Sequence, residues 1–329
     1  MTCRLLSSAE SRLLHHPKAR RGVTSISRIL LSVAIALACQ PLAQSEKTTQ
    51  ERTIAQLRSA AAKLAPLHTK KTPPGPGDWL ANHRETGQTS AQYRRSNPNR
   101  PSSKRTTIYV QPIGEFNAAQ KRVVGETAEI LSRFYGVPTK VLDPLDLDLI
   151  PAKARRVEEG EPQILTTYVL DNVLKPRRPD DAVAVLGLTT VDLWPGKGWN
   201  YLFGQASLSD RVGVWSMARY GHLEGSPAES RLVARRTYKV ALHETGHMLG
   251  IAHCTAYECL MNGSNSLTEM DSRPMWLCPE CVQKVWWACR TDPVKRCEAL
   301  IEFGKQHDLS KEVEFWQESA DRLRESHNR

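Results

Sequence analysis

Three imidazoles and a carboxylate fall within eleven residues, His243-Glu244-Thr245-Gly246-His247-Met248-Leu249-Gly250-Ile251-Ala252-His253, at a spacing that lets one metal ion use them all. On a helix, His243 and His247 are four apart and project from one face a turn from each other. Glu244 is rotated by about 100° from His243, near enough to reach a water at the metal without being a ligand itself. Gly250 can take the left-handed conformation that stops a helix and reverses the chain, so that His253 swings back as a third ligand. Three protein ligands leave the fourth tetrahedral position of a zinc ion for water, which marks a catalytic site. The chemistry expected is hydrolysis: the metal acidifies the water and polarises a carbonyl, and Glu244 takes the proton as general base. A helix with two surface histidines is the competing reading of a bare His-Glu-x-x-His, and the glycine and third histidine speak against it.

Four cysteines follow at once, Cys254, Cys259, Cys278 and Cys281, the last two as Cys-Pro-Glu-Cys. Two such thiol pairs match a structural zinc, tetrahedral and closed to water. A pair of disulfides is the alternative in an oxidising compartment, although a two-residue gap suits one metal better than two bridges. Cys289 and Cys297 are left over, either as a disulfide or as reduced core thiols.

The order Gly250, Cys254, Cys259, Met261, then Cys278 and Cys281 resembles that of the archaemetzincins, a branch of the metzincin zinc peptidases. Ile108–Gly114, Val185–Thr189 and Val212–Arg219 resemble the strand segments of that family, so the likeness runs from about Gly75 to Cys289. The resemblance implies peptide substrates and a Met-turn role for Met261 beneath the catalytic metal, and the two ligand spacings together call for two zinc ions per chain. It also implies that Val212–Arg219 is an antiparallel edge strand above the cleft, able to bind an extended peptide.

The elements that must position these residues can be read from periodicity. Ser226-Pro227-Ala228-Glu229 combines an N-cap, a proline at the first helical position and a capping-box glutamate, which predicts a helix from about Pro227 to Leu249. Val233, Val240, Ala241 and Met248 give that helix its buried stripe. Upstream, Thr106–Gln111 reads as a strand and Asn117 with Gln120 caps a helix ending at Gly136. Thr139–Leu142 reads as a short strand, Asp143–Glu161 as loop, Ile164–Leu174 as helical, and Ala182–Leu188 as a central strand covered on both faces. Trp194–Phe203 reads as loop. Helices are expected from Pro279 and from Ser310. The fold class is α/β (α+β), with a mixed twisted sheet, a long active-site helix and a smaller zinc-stabilised helical C-terminal subdomain.

With 329 residues and 40% hydrophobic content, the chain can bury a sizeable core. Residues 1–45 read as a signal peptide: Arg20, Arg21 and Arg28 precede the apolar run Ile29–Cys39, which is too short to span a bilayer. Cys39 after Ala38 offers lipid anchoring as the lesser alternative to secretion. Residues 46–105 form a basic segment and linker, with Thr72-Pro73-Pro74-Gly75-Pro76-Gly77 as punctuation. Residues 106–329 form the catalytic domain, divided near Gly250 into an upper part (106–250) and a lower part (251–329).

The net charge of +10 invites a nucleic-acid reading, but its distribution argues otherwise. Residues 1–45 carry +5, residues 46–105 carry +8, and the rest of the chain carries −3. The near-neutral domain lacks the footprint of a phosphate binder. There is no internal repeat and no phosphate-cradling glycine loop, and His222 reads as an ordinary polar residue. An exported zinc peptidase leads, ahead of a catalytically inactive or non-peptidase zinc-binding protein that uses its cysteine site for partners.

Overall fold

The apolar run Ala182–Thr189 is buried at all eight positions, as expected of the middle of a sheet covered on both faces. The computed structural model describes residues 53–325; the leader, with Cys39, lies outside them. In chain order the main elements are α1 (Ser90–Arg95), β1 (Thr107–Ile113), α2 (Ala118–Tyr135), β2 (Thr139–Val141), β3 (Arg155–Glu158), β4 (Glu161–Leu165), β5 (Ala182–Thr189), β6 (Asp192–Trp194), β7 (Gly204–Ser207) and β8 (Val212–Ser216). Then follow α3 (Pro227–Met248), α4 (Leu267–Ser272), α5 (Pro279–Cys289), α6 (Pro293–Gln306) and α7 (Ser310–Arg324).

Five strands form a mixed sheet in the order β2-β1-β5-β8-β7. The first four run parallel and β7 runs antiparallel to β8. One face packs on the helical segment Val169–Leu174, whose Leu170, Val173 and Leu174 meet Ile113, Val185 and Val214. Helix α3 lies on the opposite face and brings Met248 Cε 3.5 Å from where a Cβ on Gly213 would stand. Helices α2 and α3 both begin with reciprocal capping boxes, Asn117/Gln120 and Ser226/Glu229. Each cap satisfies amides the helix cannot, worth about 1 kcal/mol. Gly136 ends α2 at φ +64°, where any side chain would be strained.

The structure departs from the sequence expectation in three places. The segment Val212–Arg219 is not an antiparallel edge: β8 lies inside the sheet, parallel to β5, and the antiparallel edge strand is β7. Gly204-Gln205-Ala206-Ser207 carries no apolar alternation, and it is recruited through its backbone ladder to β8. The stretch Asp143–Glu161 is not all loop. Glu159 and Gly160 both take positive φ in a two-residue turn that joins β3 to β4, and β6 adds to β4 as a second, three-stranded sheet. Strand β4 consequently absorbs Ile164 and Leu165, where helix was expected.

The third departure concerns the basic segment 46–105. From Ala60 onward it belongs to the same compact unit as the catalytic body rather than preceding it as a linker. Trp79 and Tyr93 are fully buried, Lys71 pairs with Glu258, and Lys70 bridges to Tyr257. Lys70, Arg84, Arg95 and Lys104 face water, while Trp79 and Tyr93 anchor the segment.

At the C-terminal end, α6 and α7 pack closely. A Cβ on Gly304 would lie 2.6 Å from Val313 Cγ2, so the glycine is what permits the approach.

Candidate metal centre

Helix α3 delivers His243 and His247 from its last two turns into the interior. The helix then stops on Gly250, at φ +84°, with its amide on His247 O (2.7 Å) and Ile251 N on Gly246 O (2.9 Å). These bonds close a left-handed C-terminal turn. The reversed chain returns His253 to the same point, so the three histidines place one ligand atom each within 4.8 Å of one another. The Nε2 atoms of His243 and His247 are 3.0 Å apart. Tetrahedral zinc with bonds of about 2.0–2.1 Å needs nitrogens about 3.4 Å apart, so only a small adjustment separates this cluster from a ligand set.

The outer nitrogens are already committed. His243 Nδ1 faces Leu260 O at 2.9 Å, His247 Nδ1 faces Ile251 O at 2.7 Å, and His253 Nδ1 faces the Glu85 carboxylate at 2.8 and 3.0 Å. A carbonyl or carboxylate can only accept, so each Nδ1 carries the proton and each Nε2 offers a lone pair inward. His253 Nε2 is buried with no hydrogen-bond partner among the described residues. Burial holds His243 and His247 well below the usual imidazole range, helped at His243 by the neighbouring Arg273 and at His247 by His253. Both are therefore neutral, the form that binds metal. The donor set fits a zinc ion.

Glu244 is buried beside this cluster, and a Cβ on Gly204 would lie 3.2 Å from its Oε1, so the carboxylate faces the start of edge strand β7. Met261 lies beneath the helix: a Cβ on Gly246 would stand 2.6 Å from its sulfur. Only glycine at position 246 lets the methionine come this close.

The second cluster is built by the loop after His253 and the N-terminus of α5. Cys254, Cys259, Cys278 and Cys281 are buried and unbridged, their sulfurs within 4.8 Å of one another. Cys254 Sγ lies 3.6 Å from Cys278 Sγ, so the alternative of two disulfides is set aside. The Met261 and Cys278 amides donate to Cys259 Sγ at 3.5 and 3.3 Å, and Lys284 Nζ approaches Cys281 Sγ at 3.8 Å. Such donors stabilise thiolates. Hydrogen bonds from the other three thiols pull Cys254 far down, while burial pushes Cys259 up. Asn262 ties the loop together, accepting from Cys259 N and donating to Cys254 O and Tyr257 O. This set also fits zinc. Cys289 and Cys297 are free thiols, with no bridge between them.

Residues 150–286, which contain Glu244 and all seven candidate ligands, match the sequence profile of peptidase family M54. Archaemetzincin-2 of Homo sapiens is 34% identical over 260 residues, covering 69% of this chain and 71% of the relative. The chain belongs to the archaemetzincin family. It is thereby a zinc metallopeptidase. The archaemetzincin of Pyrococcus furiosus is 32% identical over 182 residues, covering 55% of this chain and 93% of the relative. The crystal structure of the archaemetzincin of Methanopyrus kandleri is 28% identical and covers 58% of this chain and 99% of that one, with a TM-score of 0.47.

Two residues at the archaemetzincin site escaped the sequence reading. Arg273 donates to Asn262 O and lies 3.4 Å from His243 Nδ1, a cation behind the first histidine. Glu85 holds His253. Burial, the largest single influence, opposes its charge, but His253, Trp79 and His83 together outweigh it and keep the carboxyl below its ordinary range. Both lie too far along the chain from their partners to leave a spacing signal.

Proposed function

We propose that the chain is an exported peptidase in which His243, His247 and His253 hold the catalytic zinc, Glu244 is the general base, and Cys254, Cys259, Cys278 and Cys281 hold a second, structural zinc. The observation that carries the reading is the convergence of three buried imidazoles, each with its outer nitrogen committed, beside a buried carboxylate. Zinc at this place supplies a Lewis acid that makes water nucleophilic near neutral pH and draws charge onto a scissile carbonyl. Glu244 accepts the water's proton and returns it to the departing amine. Because Glu244 faces the start of β7, the outermost strand of the sheet, that strand is where an extended peptide adds and presents its carbonyl.

The cysteine site is closed by four protein ligands and so serves the fold, pinning the 254–281 segment under α3. Near-neutral charge from Thr106 onward favours polypeptide over nucleic acid as the partner. No helix among the described residues is long and apolar enough to cross a membrane. Export rests on the leader composition alone; a full-length protein found intact in the cytosol, with its N-terminus uncleaved, would remove it.

The test of the catalytic reading combines a zinc assay with a peptide-library cleavage profile, run with and without a chelator. Two zincs and hydrolysis that disappears in Glu244→Ala support it. Two zincs without hydrolysis would instead favour a non-peptidase zinc-binding protein.

A further inference from the structure

The turn that returns His253 to the site is gripped from outside by a stretch of chain that precedes the first strand of the sheet. Tyr93 Oη donates to Leu249 O at 2.8 Å, and Asn99 Nδ2 donates to Met248 O at 2.9 Å. Gln88 reads the turn twice, with Nε2 on Gly250 O and Oε1 receiving Ala252 N, both at 3.2 Å. Pro98 closes over Gly250, its Cβ 2.8 Å from where a side chain would begin. Glu85 then accepts from His253 Nδ1.

This stretch is itself anchored to the helix that carries Cys281. Ser90 N donates to Glu280 at 2.8 Å and Lys284 Nζ donates to Gln88 O at 2.6 Å. Trp79 sets its ring edge-on to His253, with centroids 5.1 Å apart. His253 also differs from its two fellows. His243 and His247 are oriented by carbonyls of nearby loops, whereas His253 is oriented by a side chain 168 residues away. A carboxylate on the outer nitrogen fixes the tautomer and raises the basicity of the inner one more than a neutral carbonyl does.

We propose that Glu85, on a strap formed by residues 85–99 across the 248–253 turn, is a positioning residue that aims His253 at the metal and strengthens zinc binding at the histidine site. The inference rests on the reading of His243, His247 and His253 as zinc ligands. It adds that the stretch of the catalytic body ahead of β1 completes that site, with a residue outside the segment matched by the family profile.

The experiment is a cobalt(II) titration of the metal-free full-length chain, in competition with a chromophoric chelator. Cobalt on thiolates absorbs intensely through sulfur charge transfer, while cobalt on imidazoles gives only weak visible bands, so both sites are read in one sample. Glu85→Ala should weaken the nitrogen site by about 10–100-fold. Glu85→Gln, nearly isosteric and still an acceptor, should fall between Ala and the native chain; it carries the test if Glu85→Ala fails to fold. The sulfur site and the melting temperature of the metal-free protein should not change. Native affinity at the nitrogen site in both variants would overturn the proposal. So would parallel loss at both sites with a lower melting temperature, which would make Glu85 a residue of the fold alone. A native chain that shows no nitrogen-site cobalt, or a His247→Ala variant that keeps it, would instead overturn the underlying assignment of the three histidines.

Discussion

Gly246 is the position where the architecture of the site can be tested as a number. A Cβ there would stand 2.6 Å from Met261 Sδ, 3.0 Å from Met261 Cε and 3.4 Å from Tyr135 Oη, all in fully buried side chains. On an exposed helix, Gly→Ala gains about 0.8–1 kcal/mol. Here the sulfur must retreat by roughly 1 Å into a packed interior, and overpacking of that kind costs about 1–3 kcal/mol. Gly246→Ala should therefore lose stability or at best break even. Met261→Ala alone should cost about 2–5 kcal/mol as a buried truncation. In that background the obstacle is gone, and Gly246→Ala should recover its gain of about 1 kcal/mol. The two effects should thus differ by the overpacking cost alone, about 1–3 kcal/mol, a coupling energy read from urea unfolding of the four variants at fixed zinc. If Gly246→Ala stabilises the native chain as it would an exposed helix, or acts equally in both backgrounds, Met261 does not support the helix as described.

Three further outcomes are expected. Glu244→Gln should lower kcat by about 10²–10⁴-fold with zinc content unchanged, and turnover within tenfold of native would remove Glu244 as base. Cys278→Ser should release one zinc and lower the melting temperature, because metal affinity at a folded cysteine site is folding energy; unchanged melting and metal content would refute it. Burial pushes the Cys289 thiol up to about 12 and Cys297 up to about 11, so both should resist iodoacetamide in native protein at pH 8 and react faster as pH rises. Fast labelling at pH 8, or an intact mass two hydrogens short for a Cys289–Cys297 bridge, would contradict this.

Much of the site was legible because its signals are local. His243, Glu244 and His247 sit on one helix whose capping box Ser226/Glu229 and stripe through Met248 announce it, and Gly250 marks its end. The same holds for α2, from Asn117 to Gly136, and for the wholly buried β5. What stayed hidden depends on tertiary partners. Strand β7 exists because β8 offers it a ladder, not because Gly204-Gln205-Ala206-Ser207 prefers extension. The β3–β4 hairpin had a local sign, a residue paired with Gly160 at a two-residue turn, masked by the charges around it. Charge also misled for 60–105, where arginines suggested a basic linker while Trp79, Tyr93 and Glu85 carried the contacts that matter.

A zinc ion gripped by three histidines beside Glu244 would be visible by its absorption. Anomalous diffraction from crystals of the purified chain, recorded on either side of the zinc absorption edge, tests for it most directly. Two zinc peaks are expected, one among the four sulfurs and one bounded by Nε2 of His243, His247 and His253. A peak at the sulfurs alone, with none between the imidazoles of a fully zinc-equilibrated protein, would contradict this.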